Sequence, residues 1–215
     1  EIAQKPIVLE LNIDREKGEL SGESKEDRFK SFIDSFSSNS KLLSFYNKYI
    51  VLTRLLTDIS LNYSKNAETL LKRIEENKDL LSSKFGITDF VLEKVKMGQG
   101  DTHGRGNTVT ELVFKDSTKI IYKPKNVKIH KVYKEFVDIF NKKENILEMQ
   151  VTEALHLNDY TFEEFIEYKG CNNNNEVKDY YRRFGQLMGI LYFLNGTDMH
   201  MENLISRGNQ PIVVD

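Results

Sequence analysis

The chain has 215 residues, 39% of them hydrophobic, enough for one large domain or two small lobes without disulfides or a structural metal. Lys and Arg total 31 against 33 Asp and Glu, a formal net charge of -2, so no global field draws the chain to nucleic acid or an anionic membrane. Any polyanion site must therefore be local, and the single cysteine, Cys171, excludes an internal disulfide.

The opening residues mix Ile2, Val8 and Leu9 with charges and lack the apolar run and basic flank of a secretion signal. No stretch approaches the ~18 apolar residues that span a bilayer, so a reducing, cytoplasmic setting is expected. Residues 1–25 read as a short N-terminal strand followed by a flexible linker, with Gly18 and Gly22 among charged and small residues. Helical spacing follows. Phe29, Phe32, Ile33 and Phe36, then Leu43, Tyr46, Tyr49 and Ile50, then Leu52, Leu55, Leu56 and Ile59 recur at three and four residues. A further segment over 67–81 closes near Gly86, and residues 26–89 are predicted to form a helical layer whose aromatics are core positions.

From Phe90 the pattern changes to short alternating runs at 91–95, 109–114 and 119–122, separated by a Gly-rich stretch at 98–106 and by Lys115-Asp116-Ser117. These runs predict an antiparallel sheet. Val132, Tyr133, Phe136, Val137 and Phe140 predict a helix over 130–140, and strands are expected at 148–151 and 162–168. Gly170 and the asparagines at 172–175 read as a surface loop. Tyr181, Phe184, Leu187, Met188 and Leu191 mark the last helix, before a polar loop at 195–203 and a hairpin turning through Gly208 and Pro211. This is the element order of a protein-kinase fold. The class expected is α+β: a helical layer, a kinase-like N-lobe of antiparallel sheet and helix over 90–170, and the start of a helical C-lobe over 171–215.

Three stretches carry chemistry. Residues 196–203 read Gly-Thr-Asp-Met-His-Met-Glu-Asn, and the hairpin that follows ends Val213-Val214-Asp215. In kinases a catalytic Asp lies five residues before an Asn that holds magnesium, and a second Asp after the next hairpin chelates the metals; Asp198, Asn203 and Asp215 have that spacing. Asp198 has the chemistry to accept a hydroxyl proton, while Asn203 and Asp215 offer the hard oxygens that magnesium prefers. A polar turn capping the preceding helix is the bland alternative. Lys123 ends a predicted strand just before Pro124 and is a natural phosphate ligand, with Glu135 the nearest candidate for the glutamate that kinases pair with such a lysine. The glycines at 98, 100, 104 and 106 would let backbone amides approach phosphate oxygens. An ordinary nucleotide loop has no need of Asp101 and His103, an acid and an imidazole suited to proton transfer, although a histidine in a turn is also an ordinary structural residue.

Taken together, Gly100-Asp101-x-His103 followed by Gly104-Arg105, Tyr122-Lys123-Pro124, Thr197-Asp198-x-His200-x-Glu202-Asn203 and an apolar strand ending in Asp215 resemble the dehydratase domain of class II lanthipeptide synthetases. The resemblance runs in order over residues 29–215 and includes 162–168 and 181–195. It implies a bacterial enzyme that uses ATP and Mg2+ to phosphorylate Ser and Thr of a ribosomally made, Ser/Thr/Cys-rich precursor peptide. Elimination of phosphate then leaves dehydroalanine or dehydrobutyrine. It assigns Lys123, Asp198, His200, Asn203 and Asp215 to phosphoryl transfer, Asn203 and Asp215 to magnesium, and Asp101 and His103 to elimination, beside the nucleotide role that their backbone freedom gives Gly98, Gly100, Gly104 and Gly106. His200 occupies a position that ordinary kinases do not give to histidine.

Two departures stand out. Lys125 replaces the family's usual Arg after Lys-Pro, keeping the charge but losing bidentate geometry. Asp215 is the last residue, so the activation segment, the helical lower lobe, the elimination-site Arg and Thr and a zinc cyclase domain would lie in downstream partner parts. The expectation is a truncated or split enzyme that exposes apolar surface. An ordinary or small-molecule kinase and a non-catalytic peptide- or partner-binding remnant remain open. A metallohydrolase on His103, Asp198 and His200 lacks compact ligand spacing.

Overall fold

A computed structural model describes residues 2–100, 104–197 and 199–214, which hold seven α-helices and seven β-strands. The chain divides between Thr69 and Leu70 into two units. The first contains α1 (Gln4–Glu16), α2 (Lys25–Ser35), α3 (Asn39–Lys48) and most of α4 (Ile50–Glu76). Ser24 and Asp27 form a reciprocal capping box at the start of α2, the Ser24 hydroxyl accepting from the Asp27 N–H at 3.0 Å and the Asp27 carboxylate accepting from the Ser24 N–H at 3.2 Å. Phe32, Phe36 and Phe45 pack edge to face at centroid distances of 5.2 and 5.4 Å.

The N-terminal strand expected within residues 1–25 is instead α1. Two of its inward positions, Glu10 and Asp14, are carboxylates, whereas Val8 and Leu9 point outward. Lys48 and Tyr49 both donate to Glu10 Oε1 at 2.6 Å, and Lys41 donates to Asp14 Oδ2 at 2.6 Å. Burial pushes the Glu10 carboxyl up, but the hydrogen bonds from Lys48 and Tyr49 more than offset it and hold the group below 4.5. A helix whose buried face is ionic carries no apolar stripe, so hydrophobic spacing alone misreads it.

The second unit is α+β, as expected. Its sheet is antiparallel throughout, in the order β1 (Leu92–Met97), β2 (Thr110–Phe114), β3 (Lys119–Lys123), β5 (Thr161–Glu164), β4 (Ala154–His156). Successive strand residues face opposite sides, so Leu112, Phe114, Ile120, Tyr122 and Phe162 share one face. That face is buried with Leu70 and Ile74 of α4 and Leu81 of α5 (Lys78–Phe85). The predicted helical layer over 26–89 is therefore divided: the end of α4 and all of α5 belong with the sheet. Gly86, at φ 70°, closes α5 in the left-handed conformation.

A second core joins Val137 of α6 (Ile129–Asn141) to Leu187 and Ile190 of α7 (Asn174–Phe193), with Met149 between them. Leu204 and Val213 of the β6 (Leu204–Arg207) and β7 (Gln210–Val213) hairpin pack against it. Residues 148–151, predicted as a strand, make no ladder. Asn141 bonds both the N–H and the carbonyl of Met149 at 2.9 Å, and Gln210 takes the Gln150 N–H, so side chains satisfy that backbone. The ladder forms a few residues later, as β4. The asparagine run opens α7, where the Asn173 side chain accepts from the Asn175 and Glu176 amides. Among the described residues no helix is long and apolar enough to cross a membrane.

Candidate functional site

The sheet face opposite the apolar core is polar, and Lys123 stands on it. Its strand alternates Ile120 and Tyr122 into the core with Ile121 and Lys123 on the other side. In the register with β5, Ile121 lies opposite Glu163 and Lys123 opposite Thr161, which sets Glu163 diagonally beside Lys123. Lys123 Nζ is 3.0 Å from Glu163 Oε2, and their side chains are 4% and 3% exposed. The second carboxylate oxygen, Oε1, is 3.0 Å from His130 Nδ1 in the first turn of α6. Burial pushes the Glu163 carboxyl up, but the His130 hydrogen bond and the Lys123 charge together carry it below 4.5. The anion is thus the folded form. Lys123 also donates to the carbonyl of Val214, immediately before Asp215.

This depressed carboxyl makes a pH prediction. A group whose folded pKa lies below its unfolded value contributes stability above the unfolded value, and that contribution is lost as pH falls through the folded value. The stability difference between the wild type and Glu163→Gln is therefore expected to be constant well above pH 4.5 and to shrink below it. Urea unfolding at a series of pH values from neutral downward measures it, and a difference that widens on acidification would contradict the assignment.

At the hairpin, His200 caps a 3-10 turn, Met201–Asn203. Its Nδ1 accepts from the Glu202 N–H at 3.3 Å, and its Nε2 lies 3.4 Å from Asn203 Nδ2. The Asn203 N–H donates to the His200 carbonyl at 3.1 Å, and the Asn203 carbonyl accepts from the Val214 N–H at 3.0 Å. Asn203 and Val214 are thereby held side by side, and the Lys123 contact to Val214 ties the end of β3 to the same point. The structure brings Lys123, His200 and Asn203 together by this chain of contacts. Asp101, His103, Asp198 and Asp215 lie outside the described residues.

The Gly-rich loop leaves β1 at Met97 and enters β2 at Thr110, which pair with each other, and Thr110 in turn pairs with Tyr122. The loop therefore hangs from the end of the sheet at which Lys123 stands. Gly98 and Gly100, at φ 81° and 103°, occupy backbone conformations that a side chain rarely adopts. Gly104 and Gly106 bracket a short 3-10 turn further along. The Gly98 N–H bonds Thr108 Oγ1 at 2.9 Å, and the Gln99 N–H bonds the Val109 carbonyl at 3.0 Å, bracing the base of the loop.

Glu135 is not the glutamate beside Lys123. It lies on α6 with its side chain 63% exposed, 4.0 Å from Lys131, and Glu163 of a neighbouring strand takes the place beside the lysine. Sequence reading misses Glu163 and His130. The signal was present in Phe162-Glu163-Glu164: with Phe162 on the core face, alternation sets Glu163 on the opposite face, the one that carries Lys123. Among the described residues no group of three or more His, Cys, Asp or Glu is placed to hold a metal ion. Asn203 supplies one hard oxygen donor next to the strand that leads into Asp215.

Residues 49–215 match a protein family described as a domain of unknown function, DUF4135. Over 226 aligned residues the chain is 28% identical to the lacticin 481/lactococcin biosynthesis protein LcnDR2 of Lactococcus lactis subsp. lactis, a match that covers 100% of this chain and 24% of that protein. The chain thus spans about a quarter of the length of the curated relative it matches.

Proposed function

The chain belongs to the DUF4135 family, which is associated with class II lanthipeptide synthetases, and from that premise we propose that it is the kinase-like dehydratase segment of such an enzyme. In this reading it phosphorylates Ser and Thr of a precursor peptide with ATP and then eliminates the phosphate. The observation that carries the proposal is the seat of Lys123, whose ammonium is buried between the Glu163 carboxylate and the Val214 carbonyl at the polar end of the sheet. Withdrawing a lysine and a glutamate from water is expensive, and an apolar pair of the same volume serves stability as well or better. A charge kept there at that cost, at the sheet end from which the glycine loop springs and bonded to Val214, the backbone partner of Asn203, suits a phosphate ligand.

Lys123 would contact the nucleotide phosphates, and its ion pair with Glu163 would hold the ammonium in place for them, the part played in protein kinases by a lysine and a helix glutamate. Magnesium, held by Asn203 and Asp215, would supply Lewis-acid neutralisation of the phosphate charge. Asp198 would accept the proton of the attacking Ser or Thr hydroxyl, with His200 beside Asn203 shaping the same loop. For elimination, Asp101 and His103 would take the α-proton as the electron pair forms the new C=C bond and phosphate departs with the Cβ–O bond. The peptide class follows from the relative's part in lacticin 481 and lactococcin biosynthesis.

Mass spectrometry of a Ser/Thr/Cys-rich precursor peptide incubated with the protein, ATP and Mg2+ tests this. Loss of one water per modified Ser or Thr is expected. Added phosphate without that loss would support the kinase half alone, and a peptide unchanged by the longest natural form of the protein would sink the proposal.

A further inference from the structure

The buried carboxylate beside Lys123 has a second partner that the phosphoryl-transfer chemistry does not require. Glu163 presents Oε2 to Lys123 Nζ and Oε1 to His130 Nδ1, each at 3.0 Å. Paired with the Lys123 ammonium at 3.0 Å, the Glu163 carboxylate only accepts hydrogen bonds, so Nδ1 of His130 is the donor of the second contact. The ring is held in place by its backbone. The His130 N–H bonds the Val127 carbonyl at 2.9 Å, the Val127 N–H reaches Thr161 Oγ1 at 3.4 Å, and Asn126 donates to the carbonyls of Leu157 and Asn158. The turn that carries His130 is thus fastened to Thr161, on the same strand as Glu163, and to the β4–β5 connection at Leu157 and Asn158. The other histidine of this region, His156, is engaged elsewhere, with its Nδ1 3.4 Å from Thr161 Oγ1.

We propose that His130 is a positioning residue, which pins one oxygen of Glu163 so that the other holds the Lys123 ammonium at the nucleotide-phosphate site. The inference rests on the phosphate-binding role proposed for Lys123. Glutamate has three side-chain torsions, and a buried carboxylate held at one oxygen only is free to swing about them. Held at both, it has one orientation. The alignment runs from α6 through Glu163 and Lys123 to Val214, beside Asp215, so a residue remote from the phosphates sets the position of the charge that meets them.

Two variants and two readouts test the idea. In His130→Leu the donor is lost, whereas in His130→Asn the side-chain amide occupies nearly the place of Nδ1. The longest natural form of the protein is used, and the thermal midpoint of each variant is recorded. Loss of a hydrogen bond to a charged group is expected to raise KM for Mg·ATP about tenfold in His130→Leu with a smaller change in kcat, and His130→Asn is expected to recover most of it. Acetylation of Lys123 by acetic anhydride, followed by peptide mass spectrometry without nucleotide, is expected to run several-fold faster in the leucine variant and to slow again in the asparagine variant. If the leucine variant does not fold, His130→Ala takes its place in both measurements. A folded donor-less variant with unchanged KM and unchanged labelling overturns the proposal, as does an asparagine variant impaired as much as the leucine one. Phosphate transfer that survives Lys123→Met would sink the proposed function instead, and the labelling result would still decide whether His130 seats Glu163.

Discussion

Replacing Glu163 with leucine lowers the unfolding free energy by roughly 3–5 kcal/mol, since removal of one member of a buried ion pair leaves the other charge in the interior without its counterion. The Lys123 side chain is 4% exposed, so its charge is withdrawn from water where it stands. The double variant Lys123→Met/Glu163→Leu is expected to recover most of that stability, because two apolar side chains of similar volume suit the site as well as an ion pair does. Neither variant should transfer phosphate. Urea unfolding of the wild type, the single and the double variants, read as a thermodynamic cycle, measures the coupling. A single variant as stable as the wild type would mean that the pair is not held as the structure has it. A double variant that is stable yet inactive is the outcome expected of a pair retained for chemistry rather than for folding.

The elements legible in the sequence are those whose buried face is apolar. In α2 the helical spacing brings Phe32 inward, although Phe29 of the same run stays exposed, and in β2 and β3 alternation sorts Leu112, Phe114, Ile120 and Tyr122 onto one face. Where the inward positions are charged, the pattern fails: Glu10 and Asp14 hide α1, and their partners Lys41, Lys48 and Tyr49 lie more than twenty residues away in sequence. β4 was misplaced because residues 148–151 have strand composition but find their hydrogen bonds on Asn141 and Gln210 side chains. In the site, Asn203 is a candidate from its spacing to Asp198 and Asp215, Lys123 from its place at a strand end in company with them, and His200 from the family resemblance. Glu163 and His130 could not be found in this way, because they meet Lys123 through strand register and the seat of a helix, both tertiary properties. The carboxylate beside Lys123 belongs to a strand residue, Glu163, and not to the helix residue Glu135.

Changing His103 to alanine is expected to separate the two halves of the proposed reaction. In the proposed reaction phosphoryl transfer would depend on Lys123, Asn203 and the aspartates of the kinase motif, none of which is touched, so the precursor peptide should still gain phosphate. Elimination requires a base to remove an α-proton that is only weakly acidic, and loss of a positioned acid–base group slows such a step by about 10²–10⁴. Phosphorylated peptide should therefore accumulate in His103→Ala and in Asp101→Asn, whereas the wild type releases dehydrated peptide with little phosphopeptide present. Lys123→Met should abolish both products, because the phosphate ester is the substrate of the second step. An ordinary kinase gives another pattern: phosphopeptide is the final product of the wild type, and His103→Ala changes nothing. Quantifying phosphorylated and dehydrated peptide over time for these variants decides between the two, since only a dehydratase converts a loss at His103 into a gain of the intermediate.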